Sequence, residues 1–288
     1  MRGTGGTDGT GHGTLRALGT AGPGGAPGTT GIVYDFVYDM FHLMTAPAPR
    51  PDRAHRPRAA GPVYARLRDL IVRGRLAPGA RVTEAGIADE LGVSRTPVRE
   101  AMHRLVRDGL LVPVDGHGGG RTRLAVAPMD PATLDQLYRI AGALEGLAAR
   151  GAAGLAARER AALAGRLGAA ERAFRAAAAR RPLDYDRLFE RHDAFHRTLV
   201  DATAGPELRA QLEAIRPRVD RYEWFYAPLV GPDFGPTYRE HAAIIRAVRS
   251  ATADGIERAV RANWFLGAAR LVRALAEGGA GRRAFGRS

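Results

Sequence analysis

From residue 62 onward, hydrophobic and polar positions alternate with a helical period over most of the chain. In residues 62–75 the apolar positions recur every three or four residues, which predicts one face of an amphipathic helix: Val63, Leu67, Leu70 and Ile71. Pro62 suits the first turn of such a helix, and residues 76–79 (LAPG) indicate a turn after it.

Two more short helices are predicted directly afterwards, separated by a tight turn. Thr83 is expected to cap a helix that Gly92 ends, because Thr favours N-caps and Gly favours left-handed C-caps. The next helix is expected to begin at Ser94 or Thr96 and to end at Gly109.

A hairpin is predicted after the third helix. Residues 110–114 and 121–126 have the pattern of strands, and a glycine-rich tip separates them. Three short helices followed by a hairpin are typical of a winged helix-turn-helix, so we predict a DNA-binding domain over residues 61–128.

The remaining chain is helical in pattern up to about residue 277. Gly and Pro residues divide it into six stretches at roughly 130–150, 155–180, 183–203, 206–227, 236–250 and 253–277. Six helices with short links predict an antiparallel bundle over residues 129–277. The predicted fold class is therefore mainly α, with an N-terminal winged helix-turn-helix and a C-terminal all-α antiparallel bundle.

The two ends of the chain have a different composition. Residues 1–60 are rich in Gly, Thr, Pro and Ala, and residues 278–288 are rich in Gly and Arg. We predict a disordered low-complexity extension and a disordered tail, because such segments bury too little apolar surface to offset chain entropy. We also expect translation to start at Met40 or Met44, so that the upstream residues are not part of the native protein.

Composition narrows the classes of function. The formal net charge is +13, and all 43 basic residues are arginine. This indicates a polyanionic partner, with nucleic acid before anionic membrane, although arginine-favouring codon bias explains part of the excess. The absence of Lys and Cys excludes Schiff-base, thiol and zinc-finger chemistry. No apolar run approaches the roughly 20 residues of a membrane helix, and a cytoplasmic location fits.

Candidate DNA contacts cluster at the start of the third helix and at the wing. Arg95 and Arg99 lie at i and i+4 on one face, and Ser94 and Thr96 can add phosphate contacts. The alternative is a solvated face paired with acids such as Glu100. In the wing, backbone at Gly116 can approach the duplex with Arg121 beside it.

Candidate metal ligands occur in the helical half. His192 and His196 are one helical turn apart, and His241 lies on a later helix. Two ligands at helical spacing plus one from elsewhere suit Zn²⁺, Ni²⁺ or Mn²⁺. The alternative is that these are ordinary hydrogen-bonded histidines.

Residues 62–128 resemble the GntR family of bacterial regulators. The resemblance is carried by residues 76–79, by residues 91–101 (LGVSRTPVREA) and by Leu105 with residues 108–110 (DGL). It implies that Arg95 and Arg99 read the operator and that Gly116 approaches the minor groove. A third operator-reading arginine of some members is replaced here by Ala85.

Residues 130–277 are similar to the FCD ligand-binding domain of the FadR-type branch. Residues 143–145 (ALE), 195–196 (FH), 240–241 (EH) and 261–264 (RANW) carry the resemblance. It implies a divalent metal held by one acid and three histidines, with a small organic acid completing the coordination.

Only some of the family's ligand positions hold the same residue type in this chain. His196 and His241 match two of the histidines, and Asn263 stands at the third. His192 stands at the acid position, with Asp193 beside it as the alternative ligand. A ligand-facing arginine of the first helix is replaced by Ala141, so we expect Arg218 and Arg221 to bind the effector carboxylate and Tyr222 to wall the pocket.

These observations predict a homodimeric regulator that binds double-stranded operator DNA and responds to a small carboxylate effector, acting as a repressor and not as an enzyme. Two alternatives stay open. One is a metal-dependent hydrolase built on the three histidines, with Asp193 or Glu190 as general base. The other is a DNA-binding protein that needs no ligand.

Overall fold

The computed structural model of the protein describes the backbone of residues 60–114 and 123–285. Three predictions fall largely outside these residues: the disordered N-terminal extension, the start at Met40 or Met44, and the DNA contacts of the wing tip at Gly116 and Arg121.

The N-terminal domain contains three helices and a small antiparallel sheet. Its elements are α1 (Ala60–Val72), β1 (Arg81–Val82), α2 (Glu84–Leu91), α3 (Arg95–Arg107), β2 (Leu111–Val114) and β3 (Arg123–Val126). The strand order is β1-β3-β2, with β3 antiparallel to both neighbours. The predicted winged helix-turn-helix is confirmed. Strand β1 was not predicted, because two residues are too few to show an alternating pattern.

The turn between α2 and α3 forms where the sequence predicts it. The Thr83 side chain accepts a hydrogen bond from the backbone N–H of Gly86, which caps the start of α2. Gly92 ends α2 in the left-handed conformation with a φ of 65°. Val93 then donates its backbone N–H to Ala88 at 3.0 Å, and this closes the turn before α3 begins.

The inner face of α3 fixes its orientation in the domain. Its buried residues, Val98, Ala101, Met102 and Leu105, pack in a core with side chains of α1, α2 and the sheet. Since these residues recur at helical spacing, burying them turns the opposite face of α3 outward.

The C-terminal domain is a bundle of six α-helices with a short 3₁₀ helix. Its elements are α4 (Pro131–Ala149), the 3₁₀ helix (Arg150–Gly154), α5 (Ala157–Ala178), α6 (Tyr185–Thr203), α7 (Pro206–Val230), α8 (Gly235–Ser250) and α9 (Ala253–Phe285). The predicted all-helical bundle is confirmed.

Two helices extend further than the sequence predicts. Helix α7 continues to Val230 with Pro217 and Pro228 inside it, and α9 continues to Phe285 through the segment predicted to be a tail. In α7, packing outweighs the lost proline hydrogen bonds, because Pro217 and the residues after it are buried in the bundle. In α9, the glycines after residue 277 lower helix propensity without breaking the helix.

Helices α4 and α9 approach each other closely through glycine. A Cβ atom at Gly142 would lie 2.9 Å from the Cβ of Trp264, and one at Gly146 would lie 2.9 Å from the Cγ of Arg261. A methyl group at Gly142 would collide with Trp264, and one at Gly146 would displace the Arg261 side chain, so both glycines favour the close approach of α4 and α9.

The two domains touch along α1 and α7. Arg68 of α1 forms an ion pair with Asp220 of α7, with 2.5 Å between Nη2 and Oδ2. Arg73, directly after α1, forms an ion pair with Asp186 of α6. These contacts tie the DNA-binding domain to the bundle through charged side chains.

Replacing Gly92 with Ala should destabilise the protein by about 1 kcal/mol, because Ala pays a steric cost in the left-handed region. Gly165→Ala is the matched control: this glycine is exposed inside α5, and a methyl group added there would meet open space, so the same change should stabilise by up to about 1 kcal/mol. Urea unfolding measures the free energy of unfolding of both variants. A change of the same sign in the two variants would contradict the prediction.

Candidate functional site

The outward face of α3 is basic. Ser94, Arg95, Thr96 and Arg99 are all exposed, as a DNA-reading surface requires. The Ser94 side chain makes no capping hydrogen bond within the described helix, so its hydroxyl remains available to an external acceptor. The N-terminal end of the helix adds the positive end of its dipole.

The basic row extends further along α3 than the sequence analysis recognised. His103 and Arg107 are exposed and continue the i, i+4 spacing that starts at Arg95 and Arg99. The same spacing rule, carried for two more turns, would have found them. The exposed surface of α3 therefore presents four basic side chains in a row that turns gradually around the helix, because four residues exceed one turn of about 3.6 residues.

Arg99 has an acidic partner, but it is not Glu100. Its Nε and Nη2 atoms donate to the two carboxylate oxygens of Glu84, each at 2.8 Å. This hydrogen bonding lowers the pKa of the Glu84 carboxyl, so the pair is charged at neutral pH. Glu84 is the first residue of α2, and the tight turn brings it beside the start of α3.

In the bundle, the structure brings the three predicted histidines together. His192 and His196 of α6 meet His241 of α8, and each offers a ring nitrogen within 4.8 Å of the others. The ring centroids of His192 and His196 are 4.9 Å apart, and those of His192 and His241 are 5.3 Å apart. Such spacing suits three ligands of one cation.

Buried carboxylates orient two of these rings. Nδ1 of His196 lies 2.9 Å from Oε2 of Glu145, and Nδ1 of His241 lies 2.5 Å from Oε2 of Glu171. The Nε2 atoms of both histidines are buried and have no hydrogen-bond partner among the described residues. If Nδ1 donates to the carboxylate, Nε2 carries the free lone pair, which is the arrangement of metal-binding histidines.

The protonation of the cluster is set by burial and by Glu145. Burial lowers the pKa of His192 and of His241 well below the usual value, and repulsion from His196 adds to this effect. Burial also opposes protonation of His196, but the neighbouring Glu145 outweighs it and raises the pKa of that imidazole. His192 and His241 are therefore neutral at neutral pH, as ligands must be.

His192 and His196 border a cavity with a volume of about 40 Å³. A single buried water needs about 10–15 Å³, so the space accommodates a cation with one or two small ligands. Its lining is mostly apolar, with a few polar groups that include His192, His196, Glu223, Asn263 and Arg270. A concave apolar site with few convergent polar groups is typical of small-molecule binding.

The two candidates for a fourth ligand have different positions. Asn263 lines the cavity, and its Nδ2 atom donates to Glu240 at 3.1 Å, which orients the amide. Asp193 is turned away and forms ion pairs with Arg216 and Arg197. Neighbouring residues on a helix point about 100° apart, so Asp193 does not share the direction of His192.

Arg218, Arg221 and Tyr222 lie away from the histidine cavity, contrary to our expectation for effector contacts. Arg221 donates to the backbone oxygen of Ala127 at 2.5 Å, and the Tyr222 hydroxyl contacts the backbone of Asp130. Arg218 packs against Gly109 of the DNA-binding domain. Arg218 and Arg221 contact the DNA-binding domain because they project from the side of α7 away from the cavity, whereas Tyr222 contacts the residue before α4.

Arg270 of α9 is the cation that lines the cavity. Its guanidinium forms a bidentate pair with Glu240 at 2.6 and 2.7 Å and also donates to the Tyr226 hydroxyl. The sequence analysis missed it, although Asn263, Gly267 and Arg270 follow one another at helical spacing on the same face.

Arg216 connects the histidine cluster with the domain junction. Its guanidinium is buried among four carboxylates: Glu145 at 3.9 Å, Glu223 at 3.4 Å, Asp220 at 2.5 Å, and Asp193. Burial opposes its charge, but these acids outweigh burial and raise the pKa of Arg216. Since Glu145 holds His196 and Asp220 holds Arg68, an unbroken chain of charged contacts runs from the cluster to α1.

Comparison with known proteins identifies both halves of the chain. Residues 59–119 match the family model described as bacterial regulatory proteins, gntR family, and residues 136–264 match the FCD domain model. No helix among the described residues is long and apolar enough to cross a membrane.

Curated relatives match across both halves. An HTH-type transcriptional regulator from the TAR-I ttuE-ttuC' intergenic region of Agrobacterium vitis is 35% identical over 141 residues, covering 49% of this chain and 78% of that protein. The HTH-type transcriptional repressor RspR of Escherichia coli is 28% identical over 198 residues, covering 69% and 82%. The solved structure of E. coli McbR/YncC has the same fold, with a TM-score of 0.57, 22% identity, and coverage of 74% and 97%.

Proposed function

The chain belongs to the GntR family of bacterial transcription regulators with an FCD domain, and we propose that it is a repressor whose operator affinity is set by a small-molecule effector. The convergence of His192, His196 and His241, with two buried ring nitrogens left without partners, carries this proposal. A regulator of this kind works where the chromosome lies, so the proposed location is the cytoplasm.

DNA binding uses the exposed face of α3. This helix fits the major groove, where Arg95 and Arg99 reach guanine edges and Ser94 and Thr96 contact phosphate. Gly116 and Arg121 of the wing are proposed to approach the adjacent backbone. The arginine-rich surface supports salt-dependent binding, because each neutralised phosphate releases counterions.

A homodimer presents two copies of α3 to a palindromic operator. An apolar patch on the bundle supports this assembly: Ile140 and Leu147 of α4 and Phe265 and Leu266 of α9 are between 43% and 54% exposed. Exposed large apolar side chains that gather on two adjacent helices mark an interaction surface. We assign this patch to the contact with a second copy.

His192, His196 and His241 would hold a divalent metal such as Zn²⁺, Ni²⁺ or Mn²⁺, with the Asn263 oxygen as the fourth protein ligand. The bound ion would supply a positive centre for an effector carboxylate. The protein's own residues do the rest: Glu145 and Glu171 orient the imidazoles, and the apolar lining excludes bulk water. Arg270 offers a second positive group at the cavity wall.

The charged chain through Arg216 provides a physical route from the cavity to the DNA-binding domain. If the histidines held a cation, its attraction for the carboxylates of Glu145 and Glu223 would weaken their pairing with Arg216. Arg216 would then pair more strongly with Asp220, which is also the partner of Arg68 on α1. Occupancy of the cavity is thereby linked to the position of α1.

The alternative of a hydrolase is less well supported. Asp193 is engaged by Arg216 and Arg197, and Glu190 is exposed on the surface, so neither is placed as a general base beside the cavity. A DNA-binding protein that needs no ligand would differ in having an operator affinity that neither metal nor organic acid changes.

The purified full-length chain should bind about one metal ion per protomer when Zn²⁺ or Ni²⁺ is added, measured by elemental analysis after dialysis. His196→Ala should lower metal affinity by about 10-fold or more. His103→Ala, an exposed histidine on α3, is the control and should bind metal normally. Absence of stoichiometric metal after addition of either ion would refute the metal site.

Arg68→Gln should uncouple the cavity from DNA. In the wild type, metal together with a bound organic acid should change operator affinity by about 5-fold or more, in a titration at fixed salt. The variant should bind metal normally and should show a smaller change. Arg66→Gln, at a partly exposed arginine on the same helix, should keep the wild-type change. An equal response in the Arg68 variant would rule out the route, whereas an unresponsive wild type would favour the ligand-independent protein.

Leu147→Glu should convert the dimer to monomer at micromolar concentration and weaken operator binding, because a charge would be placed in the apolar contact. Ala157→Glu adds the same charge at an exposed site on α5 and should leave the dimer intact. Sedimentation velocity measures both. A Leu147 variant that still sediments as a dimer would exclude this patch as the interface.

A further inference from the structure

The pair between Glu84 and Arg99 is an unusual feature of the exposed α3 face. It joins two side chains that are 34% and 59% exposed, yet both oxygens of the carboxylate accept from the guanidinium at 2.8 Å. Two parallel hydrogen bonds fix the plane of the guanidinium, which a single contact would leave free to rotate. Arg99 is therefore held in one orientation before any DNA is present.

The local fold places this carboxylate with little freedom. Thr83 caps the N-terminal end of α2, where Glu84 is the first residue. Gly92 caps the C-terminal end of α2, and α3 begins three residues later at Arg95. The carboxylate thus lies beside the second turn of α3 because of the same tight turn that defines the helix-turn-helix.

The pair leaves the reading edge of Arg99 available. A guanidinium has five N–H groups, and Glu84 engages the one on Nε and one on Nη2. Glu84 leaves both N–H groups of Nη1 and the second N–H of Nη2 unused, and one N–H from each of these nitrogens lies on the adjacent outer edge of the guanidinium. These are the groups that form a bidentate contact with O6 and N7 of guanine.

We propose that Glu84 is a positioning residue for operator recognition: it holds the Arg99 guanidinium so that its outer edge reads the guanine of one G·C pair. This inference rests on the proposed insertion of α3 into the major groove. It explains why an acid stands on a surface whose partner is a polyanion, where it would otherwise only repel phosphate.

The proposal predicts two effects of opposite sign when Glu84 is replaced by Gln. The neutral amide holds Arg99 less firmly, because charge-assisted pairs are about twice as strong as neutral ones. Discrimination between G·C and A·T at the base pair that Arg99 reads should therefore fall. Loss of a negative charge near phosphate should at the same time strengthen binding to unrelated DNA. A merely structural role for Glu84 would weaken both.

The experiment uses the full-length protein and an operator selected from a random duplex library. Binding to the selected duplex is compared with binding to versions in which each G·C pair is replaced by A·T, at fixed salt. Arg99→Ala identifies the pair it reads, since discrimination there should fall about 10-fold. Glu84→Gln should lower discrimination at the same pair by about 3- to 10-fold and leave the other pairs unchanged.

Glu90→Gln is the matched control, because it removes one negative charge from an exposed position on the same helix. It should keep wild-type discrimination at every pair. Circular dichroism melting of all variants checks that they are folded. The proposal would be overturned if the Glu84 variant kept wild-type discrimination at the base pair that the Arg99 variant no longer reads. If Arg99→Ala alters no single pair, the premise that α3 reads bases through Arg99 fails, and the inference fails with it.

Discussion

The buried guanidinium of Arg216 is the interaction on which the C-terminal domain depends. Several carboxylates converge inside the bundle, and without a cation between them their mutual repulsion and loss of hydration would oppose folding. Burial raises the pKa of Glu145, but His196 and then Arg216 outweigh it and lower that pKa, and Glu145 in turn orients His196. Asp220 pairs with both Arg216 and Arg68. The geometry of the cavity and the contact between the two domains therefore both depend on the charge of Arg216.

Local signals made much of the fold predictable. Thr83 and Gly92 act as caps where their chemistry predicts, and the spacing of His192 and His196 identified two converging rings. These features depend on residues that are close in sequence, so the local sequence pattern is enough to predict them. For the same reason, the sequence could have predicted that Asp193 points away from the cavity, because neighbouring residues on a helix point about 100° apart.

The remaining features depend on contacts between distant segments. Glu145 and Glu171 reach their histidines across 51 and 70 residues, and Arg216 gathers acids from three helices. No periodicity encodes such contacts, which is why the sequence indicates Arg218 and Arg221 of α7 as effector contacts, whereas the arginine that lines the cavity is Arg270 of α9. Likewise, α7 continues through its prolines because burial in the bundle outweighs a rule that holds for isolated helices.

The glycine contact between α4 and α9 has a consequence far from where it lies. In a dimer paired through the outer faces of these helices, the tilt between the two copies follows from how closely Gly142 and Gly146 let the helices approach. In the proposed dimer, that tilt would set the separation of the two copies of α3, and the two half-sites would have to match it in base pairs. The permitted length of the operator would then depend on two residues that never meet DNA.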